Sequence, residues 1–154
     1  MTHLKEGDKA KNFEAEDTGG NKIKLADFKG KNLVLYFYPK DDTPGCTKEA
    51  CSFRDNINGI RKLNAEIVGV SGDSIESHKK FTEKYSLNFP LIVDSGNKIA
   101  KEYGVYGEKS FLGRKYMGIT RSTFIIDGKG IIKKIFYKVK VNGHTEEVIS
   151  ALSK

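Results

Sequence analysis

Two apolar runs, each followed at once by a helical repeat, constrain this 154-residue chain more than any other feature. The first, Leu33-Val34-Leu35-Tyr36-Phe37-Tyr38, has no polar alternation, as expected of a strand covered on both faces. After a short loop come Ala50, Phe53, Ile57 and Ile60, spaced by three and four residues on one face of a helix. The second run, Ala65 to Ser71, leads to Asp73 or Ser74 as the cap of a helix reaching about Tyr85. Two strands with helical crossovers require right-handed connections and a parallel sheet centre.

The remaining segments complete that sheet. Residues 11–17 and 22–25 alternate around Thr18-Gly19-Gly20-Asn21, a hairpin turn, and Ala26–Gly30 is a short connector. The first helix is expected to continue to about Asn64, with Gly59 as its weak point. Phe89–Asp94 reads as a short strand and Asn97–Tyr103 as a short helix. Gly104–Thr120 reads as a long, glycine-punctuated surface loop, a length that usually carries function. Arg121–Asp127 and Ile131–Val139 form a hairpin across Gly128-Lys129-Gly130, and Glu146–Leu152 a closing amphipathic helix. The order β-α-β-α then β-β-α describes an α/β protein with a thioredoxin-like fold. Its mixed central sheet is flanked by helices, with an extra N-terminal β-hairpin, in one domain spanning 1–154. Sites in such sheets form at the carboxyl ends of the parallel strands, where the loop after Tyr38 emerges.

That loop holds the chemistry. Thr43 suits an N-cap and Pro44 the first helical position, which places Cys46 in the first turn. Unpartnered N–H groups and the positive end of the helix dipole both favour a thiolate there, and the thiolate is the nucleophile of sulfur chemistry. A buried, inert thiol is the alternative, since Cys46 shares a helix face with Ala50. Cys51, five residues on, favours the reactive reading.

Composition narrows the partners. No apolar run is long enough to span a bilayer, and Met1–Lys9 does not resemble a secretory signal. The expected location is therefore cytoplasmic, where two neighbouring thiols suggest redox chemistry or metal binding. A closed zinc site needs further ligands, and His3, His78 and His144 are scattered, so no metal is expected. A net charge of +7 raises a nucleic-acid partner, but the lysines are interleaved with acids, as on a solvated basic surface.

The stretch Phe37-Tyr38-Pro39-Lys40-Asp41-Asp42-Thr43-Pro44-Gly45-Cys46-Thr47-Lys48-Glu49-Ala50-Cys51 resembles the active-site signature of the peroxiredoxins, the thiol peroxidases. It is most similar to their peroxiredoxin Q (bacterioferritin comigratory protein) branch. Val70-Ser71-Gly72-Asp73, Phe89-Pro90-Leu91 and Gly118–Asp127 match as well, so the resemblance covers nearly the whole chain. It implies that Cys46 is the peroxidatic cysteine, which attacks the O–O bond and becomes a sulfenic acid, and that Cys51 is the resolving cysteine of an intramolecular disulfide. It also implies that Thr43 hydrogen-bonds thiolate and peroxide, that Pro39 shields the thiolate, and that Arg121 stabilises the charge. Hydrogen peroxide and organic hydroperoxides would be the substrates and a thioredoxin-type dithiol the reductant. No cofactor, metal, nucleic acid or membrane is needed, and a monomer is expected rather than a dimer. A thioredoxin-like disulfide reductase is the rival within redox chemistry, disfavoured because such enzymes resemble C-x-x-C. A basic nucleic-acid-binding module is the rival from another class.

One geometric expectation follows for the pair. Five residues along an ideal helix separate Cα atoms by about 8.6 Å, on nearly opposite faces. A disulfide needs roughly 7 Å or less, so the helix should have to open in each cycle.

Overall fold

The computed structural model describes residues 2–154. A five-stranded sheet runs in the order β5 (Leu91–Val93), β4 (Ala65–Ser71), β3 (Asn32–Phe37), β8 (Ser122–Ile126), β9 (Ile132–Tyr137). Its centre is β3, paired in parallel with β4 and antiparallel with β8. The edges are β5, parallel to β4, and β9, antiparallel to β8. The unalternated run in β3 has the expected cause: Leu33 to Tyr38 are all buried, with side chains pointing alternately into two cores. Val34, Tyr36 and Tyr38 pack with Phe53, Ile57, Ile60 and Phe81 on one face. Leu33, Leu35 and Phe37 pack with Tyr103, Val105 and Phe124 on the other.

The helices are α1 (Pro44–Asp55), α2 (Ile57–Arg61), α3 (Ile75–Tyr85), α4 (Lys98–Glu102) and α5 (His144–Leu152). Ser74 caps α3 as expected, accepting from the Ser77 N–H at 3.2 Å. A two-stranded hairpin, β1 (Glu14–Glu16) and β2 (Lys22–Lys24), precedes the sheet. Among the described residues no helix is long and apolar enough to cross a membrane.

Two expectations need correction. The first helix does not run unbroken to Asn64. It breaks at Asn56, whose side-chain amide donates back to the Ser52 carbonyl at 2.8 Å and so competes with the helical backbone. Gly59 is not the weak point. Residues 104–120 are not a loop either: β6 (Tyr106–Phe111) and β7 (Arg114–Ile119) form a separate two-stranded sheet. Its strands pair only with each other and stay largely in solvent, so no buried face imposes an apolar alternation on the sequence. Leu112, in the left-handed region at φ +50°, takes a turn position that Asn or Gly ordinarily fills.

Candidate active site

The parallel strands deliver the chain to the site. Tyr38 extends the β3–β4 pairing by donating to the Val70 carbonyl at 3.1 Å, and the chain then turns through residues 39–43. Asp41 anchors this turn from inside. Its buried carboxylate accepts from the Tyr38 hydroxyl at 2.5 Å and the Ser77 hydroxyl at 2.8 Å, and meets His78 Nδ1 at 2.7 Å. The Asp41 N–H donates to Asp73 Oδ2 at 2.8 Å. His78 is fully buried, and its Nε2 faces the Ile92 carbonyl at 3.0 Å, so it donates there. These bonds pin the loop to α3 and to the end of β4. Nothing in the local sequence separates Asp41 and His78 from surface polar residues; only the fold brings them together.

Helix α1 starts as expected, with Thr43 at the cap position and Pro44 first inside. No side chain caps the helix. The Thr43 hydroxyl instead donates to the Lys40 carbonyl at 2.9 Å, which closes the turn and leaves the oxygen's lone pairs free. Cys46 lies in the open first turn, buried with 2% of its surface exposed. Arg121, the residue before β8, donates from Nη2 to Cys46 Sγ at 3.3 Å. Gly45 makes that approach possible, since a Cβ there would lie 3.2 Å from Arg121 Nη2.

The other half of the guanidinium serves Glu49, one turn along α1, with Nη1 to Oε1 at 2.7 Å. Glu49 is buried, and its second oxygen has no hydrogen-bond partner among the described residues. Burial pushes this carboxyl up to about 7, and Arg121 offsets only part of that rise. Conversely, burial works against the Arg121 charge, but Glu49 and Cys46 more than compensate, so it is held more firmly than usual. Glu49 was missed from the sequence; its position three residues after Cys46, on the same helix face, was the available signal.

Cys51 lies half-buried farther along α1, and both cysteines are free thiols in a helix that is regular over both. The part of α1 around Cys51 is fastened to α5 and to the loop before it. Ser52 and Thr145 share a hydroxyl hydrogen bond at 2.6 Å, Lys48 bonds Asn142, and Phe53 packs edge-on to the His144 ring. The fold therefore brings Cys46 and Arg121 into contact, places Thr43 one turn ahead of them, and leaves Pro39 exposed at the rim.

Asp41, Asp73 and His78 have metal-like spacing, their ligand atoms lying within 4.8 Å of one another. Both His78 nitrogens and Asp41 are already committed to hydrogen bonds, which makes the group a structural network rather than an open ligand set. Two clefts of about 510 and 690 Å³ lie over the N-terminal hairpin and Lys98–Ile99, and neither is lined by Cys46, Thr43 or Arg121.

Comparison with known proteins places this geometry. The AhpC/TSA family profile matches residues 6–135. The chain is 50% identical over 146 residues to peroxiredoxin Bcp of Bacillus subtilis, covering 95% of this chain and 93% of that protein. The Xylella fastidiosa PrxQ crystal structure superposes with a TM-score of 0.93 at 37% identity, covering 98% of this chain and 96% of that one. The bacterioferritin comigratory protein of Xanthomonas campestris, studied for its alkyl peroxide reduction activity, superposes at 0.87 with 38% identity over 92% of this chain and 90% of that one. These matches carry the thioredoxin-like fold across nearly the whole chain.

Proposed function

The chain belongs to the AhpC/TSA family of peroxiredoxins, in the Bcp/peroxiredoxin Q branch, and from that premise we propose that Cys46 reduces hydrogen peroxide and organic hydroperoxides and that Cys51 resolves it. The observation that carries the assignment is the contact of Cys46 Sγ with Arg121 Nη2 at the uncapped start of α1. A fixed cation and free N–H groups at this point receive the negative charge that leaves with the cleaved oxygen.

In the first step the Cys46 thiolate attacks the terminal peroxide oxygen. An S–O bond forms, the O–O bond breaks, and the alkoxide or hydroxide leaves and takes up a proton. Sulfur loses two electrons and becomes a sulfenic acid. Thr43, with its lone pairs free, orients the incoming peroxide OH, and Pro39 closes the rim against water. In the second step the Cys51 thiolate attacks the sulfenic sulfur, an S–S bond forms, and hydroxide leaves as water. Helix geometry keeps the sulfurs apart until the segment around residues 43–53 opens. A thioredoxin-type dithiol then restores both thiols by two exchange steps. The protein works as a single-domain monomer in the cytoplasm and needs no cofactor, nucleic acid or membrane.

Turnover of peroxide with a thioredoxin-type reductant tests the assignment. Cys46→Ser should lose all activity, because a hydroxyl is essentially un-ionised at neutral pH. Cys51→Ser should still consume one equivalent and then overoxidise. An active Cys46→Ser variant beside a Cys51→Ser variant that fails the first oxidation would reverse the roles.

A further inference from the structure

Beside the peroxidatic pocket lies a cleft of about 360 Å³ lined by Pro39, Lys109, Thr120, Arg121, Lys138 and Val139. Three of those six residues are cations and none is an acid. The acid that touches Arg121, Glu49, is buried beneath it on α1, with Arg121 between it and the cleft lining. Elsewhere four surface lysines have an acid partner: Lys22 meets Glu14, Lys84 meets Asp42, Lys115 meets Glu108 and Lys134 meets Glu6. Among the described residues Lys109 and Lys138 have no such partner.

Lys109 is also held in place. Lys109 Nζ donates to the Ile119 carbonyl at 3.1 Å, which uses one of its three donors and keeps the chain folded back along the hairpin. Lys138 is carried beside Arg121 by the backbone, through the Val139 N–H donating to the Arg121 carbonyl at 2.9 Å. Ammonium groups without acid partners in a concave site attract an anion, and the wall of this site is the guanidinium that touches Cys46.

We propose that this cleft selects hydroperoxides bearing an anionic group, a carboxylate or a phosphate, a few carbons from the O–O bond. The peroxide end meets Cys46, and the anionic end extends past Arg121 to Lys109 and Lys138. This inference rests on the peroxidase reading and adds the substrate class to it.

The test compares a tertiary alkyl hydroperoxide bearing a carboxylate with its methyl ester. Because the chain has no Trp, the rate of Cys46 oxidation is best read by rapid-quench alkylation and mass. The wild-type protein should oxidise about fivefold or more faster with the acid than with the ester at low salt, and the preference should shrink as salt screens it. Lys109→Gln with Lys138→Gln should erase the preference, leaving the rates with the ester and with hydrogen peroxide unchanged. The Lys109→Arg, Lys138→Arg pair should keep it. Equal rates for acid and ester in the wild-type protein, with hydrogen peroxide still reactive, would overturn the inference while sparing the peroxidase reading. So would a preference that survives in the double Gln variant. No reaction with any peroxide would fail the peroxidase reading itself.

Discussion

Arg121→Ala should produce two losses that can be separated. The first is in rate. A unit charge pair at 3.3 Å in a medium of effective dielectric about 20 is worth about 5 kcal/mol. Arg121 divides its charge between Cys46 and Glu49, so the expected loss is nearer 3–4 kcal/mol, or about 10²–10³ in the rate of Cys46 oxidation. The second loss is in stability, and it comes from Glu49. Breaking a buried ion pair typically costs about 3–5 kcal/mol, because one charge is left without a partner. Glu49 can escape part of that by holding a proton, so the cost should depend on pH. Its folded value, about 7, lies above the ordinary 4.5, and so stability is greatest below 4.5 and falls as pH rises toward 7. In the wild-type protein this loss levels off above about 7, where Glu49 is ionised on Arg121. Without Arg121 it continues upward, adding as much as about 1.4 kcal/mol per pH unit. Urea denaturation at pH 6 and pH 8 reads the stability, and rapid-quench thiol alkylation reads the rate. Arg121→Ala with Glu49→Gln should recover the stability at pH 8 but not the rate. A double variant that regained the rate would show that Arg121 acts only by neutralising Glu49. An Arg121→Ala variant equally destabilised at both pH values would refute the role given to Glu49.

Two further outcomes follow from the packing. Thr145→Val keeps the shape of the α5 start but removes its hydrogen bond to Ser52, worth about 1 kcal/mol, which should make opening of α1 about fivefold more frequent. Disulfide closure after peroxide addition should accelerate by up to that factor; weaker amide protection in α1 with unchanged closure would mean that opening is not the slow step. Leu112→Asn should stabilise the protein by about 0.5–1 kcal/mol, since a bulky residue held at φ +50° and 87% exposed gains nothing from packing. Calorimetry should show a rise of about 2–4 °C per kcal/mol, and a lower Tm would mean that the Leu112 side chain makes a contact in solution.

The sequence was most legible where burial dictates the residue. The apolar runs of β3 and β4 could belong only to covered strands, and the Thr-Pro pair located the start of α1 to the residue. The β6–β7 hairpin was not legible, because strands in solvent need no alternation and Leu112 hides the turn that Asn would have announced. Cys46 and Arg121 are separated by 75 positions, and their contact rested on a resemblance rather than on any local pattern. Glu49, Asp41 and His78 look in sequence like surface polar residues. Each acquires its meaning from a partner elsewhere in the chain: Arg121 for Glu49, and the Asp41–His78 pairing between the loop and α3. The Asn56 break was obscured because Asn in a helical repeat is tolerated unless its amide turns back on the backbone.

The most direct measurement is the intact mass of the reduced protein after one equivalent of peroxide, followed by alkylation of whatever thiols remain. The account predicts a loss of two hydrogens and no alkylation in the wild-type protein, and one added oxygen on Cys46 in the Cys51→Ser variant. Oxygen stably added to the wild-type protein with Cys51 still alkylated would contradict it, because the two sulfurs would then not have met.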